Sequence, residues 1–208
     1  MTNPMFIFLP LHMKNEIEAT FLAINKDEMR EMLKRVDCIL KTPEYMMRRK
    51  TFDFTHIAPG SNKWGRVRQE VDKVTMTVKE VQGTGIKDTY EAEIIVNDFD
   101  AASAFFEACD IPAKAFQENM REVWIKNGIE ITIDTWPGLK PFIEIEAKTE
   151  DEVRNMSSEL GCNMNEAVFG SIDVIYEKEL GIPALDIIKL PEITFANPPQ
   201  KTLCNKIT

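Results

Sequence analysis

The chain is poor in the residues that build zinc sites and disulfide frameworks. Its four cysteines, Cys38, Cys109, Cys162 and Cys204, stand far apart with no Cys-x-x-Cys pair. That spacing excludes a zinc ribbon and a disulfide scaffold, and it points to a reducing, cytoplasmic setting. Histidine is scarcer still: His12 and His56 are the only two, and their spacing matches no metal-ligand pattern. Long apolar runs are missing too. The run Met5-Phe-Ile-Phe-Leu-Pro-Leu-His-Met13 is too short to cross a bilayer and contains Pro10. It has no basic leader and no small-residue cleavage site, so neither a membrane anchor nor a signal peptide is expected. Net positive charge is also lacking. At −9 the chain suits duplex DNA poorly, because that binding rests on lysine and arginine neutralising phosphates. A small anionic ligand stays open, since local basic clusters decide that.

What is present is ordinary globular material: 208 residues, 44% hydrophobic and 28% charged. That is enough for one domain with a substantial core and excludes wholesale disorder. Eight segments read as strands: 16–21, 50–56, 64–70, 73–81, 89–96, 121–126, 129–135 and 142–147. Several alternate charged and apolar residues with a period of two. Asn127-Gly128 reads as a tight hairpin turn, because both residues tolerate positive φ. Helices are expected over 25–40, opened by Asn25-Lys-Asp-Glu28; from Asp98 or Asp100 through Ala108; over 149–160, opened by Thr149-Glu-Asp-Glu152; and over 163–178. The expected division is an N-terminal extension (1–13), a strand-rich domain (14–180) and an irregular, proline-bearing tail (181–208). Glu16-Ile-Glu-Ala and Glu144-Ile-Glu-Ala, each followed by a capped helix, echo one another. Matches this short also arise by chance.

Residues two apart on a strand share a face. Glu16 with Glu18, Arg66 with Arg68, Glu91 with Glu93 and Glu144 with Glu146 therefore pair on charged faces. Lys79 shares its face with Lys73, Thr75 and Thr77; Asp134 shares its face with Thr132 and Glu130. The opposite faces are apolar. For one strand a charged face is simply wet. Across many strands with both signs, the pattern suits an α+β fold: a closed eight-stranded antiparallel β-barrel with helices packed outside and charges lining a tunnel. Clustered carboxylates suit Mg²⁺ or Mn²⁺, while neighbouring arginines and lysines suit phosphate oxygens.

These segments, in this order, resemble the CYTH superfamily, the triphosphate tunnel metalloenzymes, over roughly residues 14–180. Glu16-Ile-Glu18 is similar to the family's opening Glu-x-Glu-x-Lys. Arg66-Val-Arg68, Thr75-Met-Thr-Val-Lys79, Glu91-Ala-Glu93, Arg121-Glu-Val-Trp124 and Ile131-Thr-Ile-Asp134 follow, and Gly138-Leu-Lys-Pro-Phe-Ile-Glu144-Ile-Glu146 closes the set. The departure is Thr20, where the pattern has lysine. Lys140 or Lys148 is a candidate substitute. The resemblance implies that Glu16, Glu18, Glu91, Glu93, Asp134, Glu144 and Glu146 bind or serve a divalent metal. Glu16, Glu18 and Asp134 would stand closest to the chemistry. It further implies that Arg66, Arg68, Lys79, Arg121 and Lys140 hold the triphosphate. The implied activity is metal-dependent hydrolysis of inorganic triphosphate, a nucleoside triphosphate or thiamine triphosphate. The alternatives are a class IV adenylate cyclase, making cyclic AMP and pyrophosphate, and a non-catalytic polyphosphate-binding module. Trp64, Trp124 and Trp136 are available to stack on a base or thiazole ring, though packing is their more frequent role. The expected partner is a small triphosphate, with neither nucleic acid duplex nor membrane. A homodimer is compatible with the sequence but not readable from it.

Overall fold

A computed structural model describes residues 13–201. The expected N-terminal extension, apart from Met13, lies outside the described residues, as do His12 and Cys204. Eight strands form the barrel: β1 (Lys14–Phe21), β2 (Ile39–Asp53), β3 (Lys63–Gln69), β4 (Val74–Val81), β5 (Thr89–Val96), β6 (Ala113–Lys126), β7 (Ile129–Thr135) and β8 (Phe142–Ala147). Their order is β2-β3-β4-β5-β1-β8-β7-β6, and β2 pairs with β6 to close the ring. All eight barrel pairings are antiparallel. A ninth strand, β9 (Glu192–Ile193), adds in parallel to β6 at Phe116 and Gln117, beyond the residues that β7 pairs. Asn127 and Gly128 both take positive φ, 52° and 86°, so the expected turn joins β6 to β7.

Three helices cover the apolar outer face. α1 (Lys26–Arg35) is capped by the Asn25 side chain, which accepts from the Asp27 and Glu28 backbone N–H groups. α2 (Phe99–Ala108) is capped by Asp98, and α3 (Glu150–Glu159) by a reciprocal Thr149–Glu152 box. Leu33, Val153 and Met156 of α1 and α3 pack on Ile17, Ala19, Ile131, Ile133, Ile143 and Ile145 of β1, β7 and β8. Each fully buried Leu, Ile, Val or Met side chain there contributes about 1.5–3 kcal/mol. Phe99, Ala102 and Phe106 of α2 pack on Phe52, Val67 and Val74, with Phe106 stacked on Phe52 at 4.6 Å. Gly65 is what lets α2 come so close: a Cβ there would lie 3.0 Å from the Phe106 and Phe54 rings.

A third cluster closes one end of the barrel. Trp136 and Phe142 lie in the same inward rows as Asp134 and Glu144. They pack with Val168 and with α4 (Ile172–Leu180) and α5 (Ala184–Lys189) through Ile175, Tyr176 and Ile187. Tyr176 Oη donates to the Pro137 carbonyl at 2.7 Å.

Three expectations need correction. α1 stops at Arg35, not Leu40: Asp37 turns to a φ of 59° and the chain enters β2 directly. The 163–178 segment is not one helix. A 3-10 turn spans Met164–Glu166, Val168 then bridges to Thr20, and Gly170 at a φ of 113° separates that bridge from α4. The stretch beyond Gly181 holds α5 and β9, so it is more regular than its prolines imply.

Candidate functional site

The inward rows carry the charge. Glu16 and Glu18 come from β1, Arg66 and Arg68 from β3, and Thr75, Thr77 and Lys79 from β4. Glu91 and Glu93 come from β5, Arg121 from β6, Asp134 from β7, and Glu144 and Glu146 from β8. Thr75, Thr77 and Asp134 are almost wholly buried, so this lumen is lined by side chains that touch one another.

At one side of the lumen, Glu16, Glu18 and Glu146 bring one carboxylate oxygen each within 4.8 Å of the others. Glu16 also accepts from Lys79 Nζ at 2.5 and 2.7 Å. Burial raises the Glu16 pKa, but Lys79, Arg66 and Arg68 outweigh it and the net shift is downward. Glu18 goes the other way. Burial first, then the charges of Glu16 and Glu144, hold it well above the usual carboxylate range. Glu146 keeps an exposed surface, but the protein packed around it removes part of its hydration, and this with Glu16, Glu91 and Glu130 pushes it up to about 7. Three crowded carboxylates, two of which resist ionising, form a hard-oxygen set that a divalent cation would satisfy.

A second group sits deeper. Arg121 makes a forked contact with Asp134 at 2.9 and 2.7 Å and reaches Glu144 at 2.7 Å. Asp134 also accepts from Asn119 and from Thr132. Burial lowers the Arg121 pKa, but Asp134 and Glu144 more than offset it, so the guanidinium is firmly charged. Glu144 is raised by burial, against the pull of Arg121.

The third group is basic. Arg66 and Arg68 share Glu93 at 3.5 and 3.6 Å, and Thr77 donates to Glu93 at 2.8 Å. Burial and the neighbouring Arg68 lower Arg66 to about 10. Both arginines keep a buried Nε–H with no acceptor among the described residues. Unpartnered buried donors are rare, and two of them facing one lumen are what an anion would satisfy.

The candidate residues therefore separate into subsets. Glu16, Glu18 and Glu146 converge as a trio. Glu91 lies 3.5 Å from Lys79, Glu93 braces the arginines, and Asp134 and Glu144 brace Arg121. Lys140 is exposed in the loop before β8, at the capped end, where its backbone N–H donates to Glu179. Lys148 is exposed just past β8. Among the described residues neither takes part in the lumen ion pairs. Trp124 packs outside the barrel, where its Nε1–H donates to Glu122, and Trp136 caps the lumen. Sequence reasoning missed Tyr45, Arg49 and Asn119, which lie on the parts of β2 and β6 not recognised as strand. Arg49 donates to Asn119 Oδ1 and lies over the Trp136 ring at 4.6 Å. The alternation Tyr45-x-Met47-x-Arg49-x-Thr51 was the available signal.

One closed lumen thus sets an acidic trio beside a bank of arginines. Neither a family model nor a curated protein matches the chain. Solved structures match in fold. The PH1012 protein of Pyrococcus horikoshii superposes with a TM-score of 0.62 at 19% identity, covering 73% of this chain and 93% of that one. A proposed adenylate cyclase of Vibrio parahaemolyticus gives 0.65 at 15%, covering 79% and 98%. A proposed adenylyl cyclase of Hippeastrum, described as having a dominant triphosphatase activity, gives 0.53 at 13%, covering 78% and 95%. The chain shares the fold of these proteins, a closed eight-stranded antiparallel barrel with helices packed outside.

Proposed function

We propose that the protein hydrolyses a small triphosphate inside this tunnel with the help of Mg²⁺ or Mn²⁺. The observation that carries the reading is one lumen holding both the Glu16–Glu18–Glu146 trio and two arginines with unsatisfied buried Nε–H groups. The trio would hold the ion, which when bound would polarise a phosphoryl oxygen and offset the charge of the chain. Arg66, Arg68, Lys79 and Arg121 would grip the phosphate oxygens. Glu70 at 2.8 Å holds Arg68, Glu93 lies 3.5–3.6 Å from Arg66 and Arg68, and Asp134 with Glu144 fixes Arg121, so these donors are oriented before substrate arrives. Water would attack in line while the same cations draw charge onto the departing phosphate. Lys140 stands apart from this set.

The cyclase reading keeps the same grip, but the attacking group is a ribose hydroxyl. It is favoured by the cyclase description attached to the Vibrio structure. Among the described residues no helix is long and apolar enough to cross a membrane, and the proposed partner is the small triphosphate alone. The deciding experiment incubates the protein with inorganic triphosphate, ATP and thiamine triphosphate, with and without each metal. Phosphate, pyrophosphate and cyclic AMP are resolved. Metal-dependent phosphate release that disappears in Glu144→Gln/Glu146→Gln supports the hydrolase. Cyclic AMP with pyrophosphate replaces it by the cyclase. Binding without any turnover leaves a binding module.

A further inference from the structure

Among the described residues Arg49 is the lumen arginine that makes no ion pair. It is 7% exposed and stands on β2 opposite Arg68 of β3 and Gln117 of β6. Arg66 has Glu93, Arg68 has Glu70 at 2.8 Å and Glu93, Lys79 has Glu16, and Arg121 has Asp134 and Glu144. Arg49 has only the neutral amide of Asn119, and its Nε–H has no acceptor among the described residues. A buried charge left this way is expensive unless something pairs with it. Burial first, then Arg66, Arg68 and Arg121, hold its pKa well below the usual guanidinium value against the pull of Asp134. The surroundings are nonetheless arranged to keep it in place. Trp136 lies against its face. Asn119 is itself locked, since its Nδ2 donates to Asp134 at 2.7 Å, which turns Oδ1 toward Arg49. The guanidinium is thus held from its face and one edge, with its Nε unsatisfied, as are those of Arg66 and Arg68.

We propose that Arg49 is a phosphate-binding residue that joins Arg66 and Arg68 in a cradle of three guanidiniums around one phosphoryl group of the substrate. It supplies the cation that Thr20 cannot. Thr20 is buried on β1, its backbone bridged to Val168, and its hydroxyl brings no charge. The proposal rests on the triphosphate reading above and adds to it the residue that completes the anion site. An arginine at this place suits a terminal, fully ionised phosphoryl better than a lysine would, because its planar fork meets two oxygens at once.

The test is calorimetric titration with inorganic triphosphate, without divalent ion, alongside the ligand-free melting temperature of each variant. Arg49→Met should weaken binding about tenfold or more. Its ligand-free melting temperature should hold or rise, because an unpaired buried charge has been removed. A residue serving only the fold would do the reverse, losing stability and keeping affinity. Arg49→Lys keeps the charge and loses the fork, so its affinity should fall between the two; it carries the test if Arg49→Met does not fold. Adding Thr20→Lys to Arg49→Met should restore part of the lost affinity. Wild-type affinity in both Arg49 variants overturns the proposal and leaves the triphosphate reading standing. A wild-type protein that binds no triphosphate overturns both.

Discussion

Replacing Glu18 by glutamine should move stability in opposite directions with and without metal. Glu18 stands between Glu16 and Glu146, with oxygens within 4.8 Å. Two carboxylates at that distance repel by about 3 kcal/mol at an effective dielectric of about 20. Lumen water screens this repulsion and leaves about 1 kcal/mol; burial and acidic neighbours hold the Glu18 carboxyl well above the usual carboxylate range, as such repulsion requires. Glutamine removes that repulsion and keeps the shape. For a chain of 208 residues the gain corresponds to roughly 2–4 °C in melting temperature. With Mg²⁺ or Mn²⁺ at about a hundred times its dissociation constant, the wild type should gain about 2.7 kcal/mol, or roughly 5–10 °C. Glu18→Gln should lose most of that gain, since one of three charged ligands has become neutral. The assay is thermal unfolding near pH 8 in chelator and in excess metal. A variant that melts lower than wild type in chelator, yet keeps the full metal gain, would refute the assignment of Glu18 to a repelling cation site.

In chelator, stability should fall as pH rises from about 4.5 to about 7. The Glu146 carboxyl, pushed up to about 7, binds more protons folded than unfolded in that window, so raising the pH favours the unfolded chain. The full shift would be about 3 kcal/mol, but Glu146 is exposed and water screens it, leaving about 1 kcal/mol. Denaturation across that range, flattened in Glu146→Gln, is the check. Glu122→Ala should cost about 2 kcal/mol by leaving Arg30, 2.7 Å away and partly exposed, and Trp124 Nε1–H without their acceptor. Because Glu122 lies outside the lumen, triphosphate affinity should stay within about twofold of wild type, measured by calorimetry beside urea unfolding. Lys79 is tied to Glu16 at 2.5 Å, so a cation on the trio should release it to phosphate. Metal should then raise triphosphate affinity about tenfold, and triphosphate should raise metal affinity equally. Titrations at fixed free metal that give independent affinities would contradict this coupling.

Legibility followed locality. A charge on every second residue needs no knowledge of partners, so the inward rows of β1, β3, β4, β5, β7 and β8 were readable from their own spacing. The inversion of the barrel, with apolar faces outside, followed from three capped helices available to cover them. What escaped depended on pairing. β2 runs fifteen residues, Ile39–Asp53, through Pro43 and three register shifts against β6. Those irregularities bound a regular stretch, Tyr45 to Thr51, too short to stand out alone, and the helix capped at Asn25 seemed to run into it. The first half of β6, Ala113–Met120, is stabilised by β2 and β9 rather than by its own alternation. Those two strand halves carry Arg49 and Asn119. The same blindness explains why the missing lysine at Thr20 was sought at Lys140 and Lys148, near in sequence to the closing motif and exposed in space. A charge lost from one strand of a closed barrel is replaced most directly from another strand facing the same lumen. β2 supplies that charge at Arg49, between β3 and β6, where only the closure of the ring brings it to the other arginines.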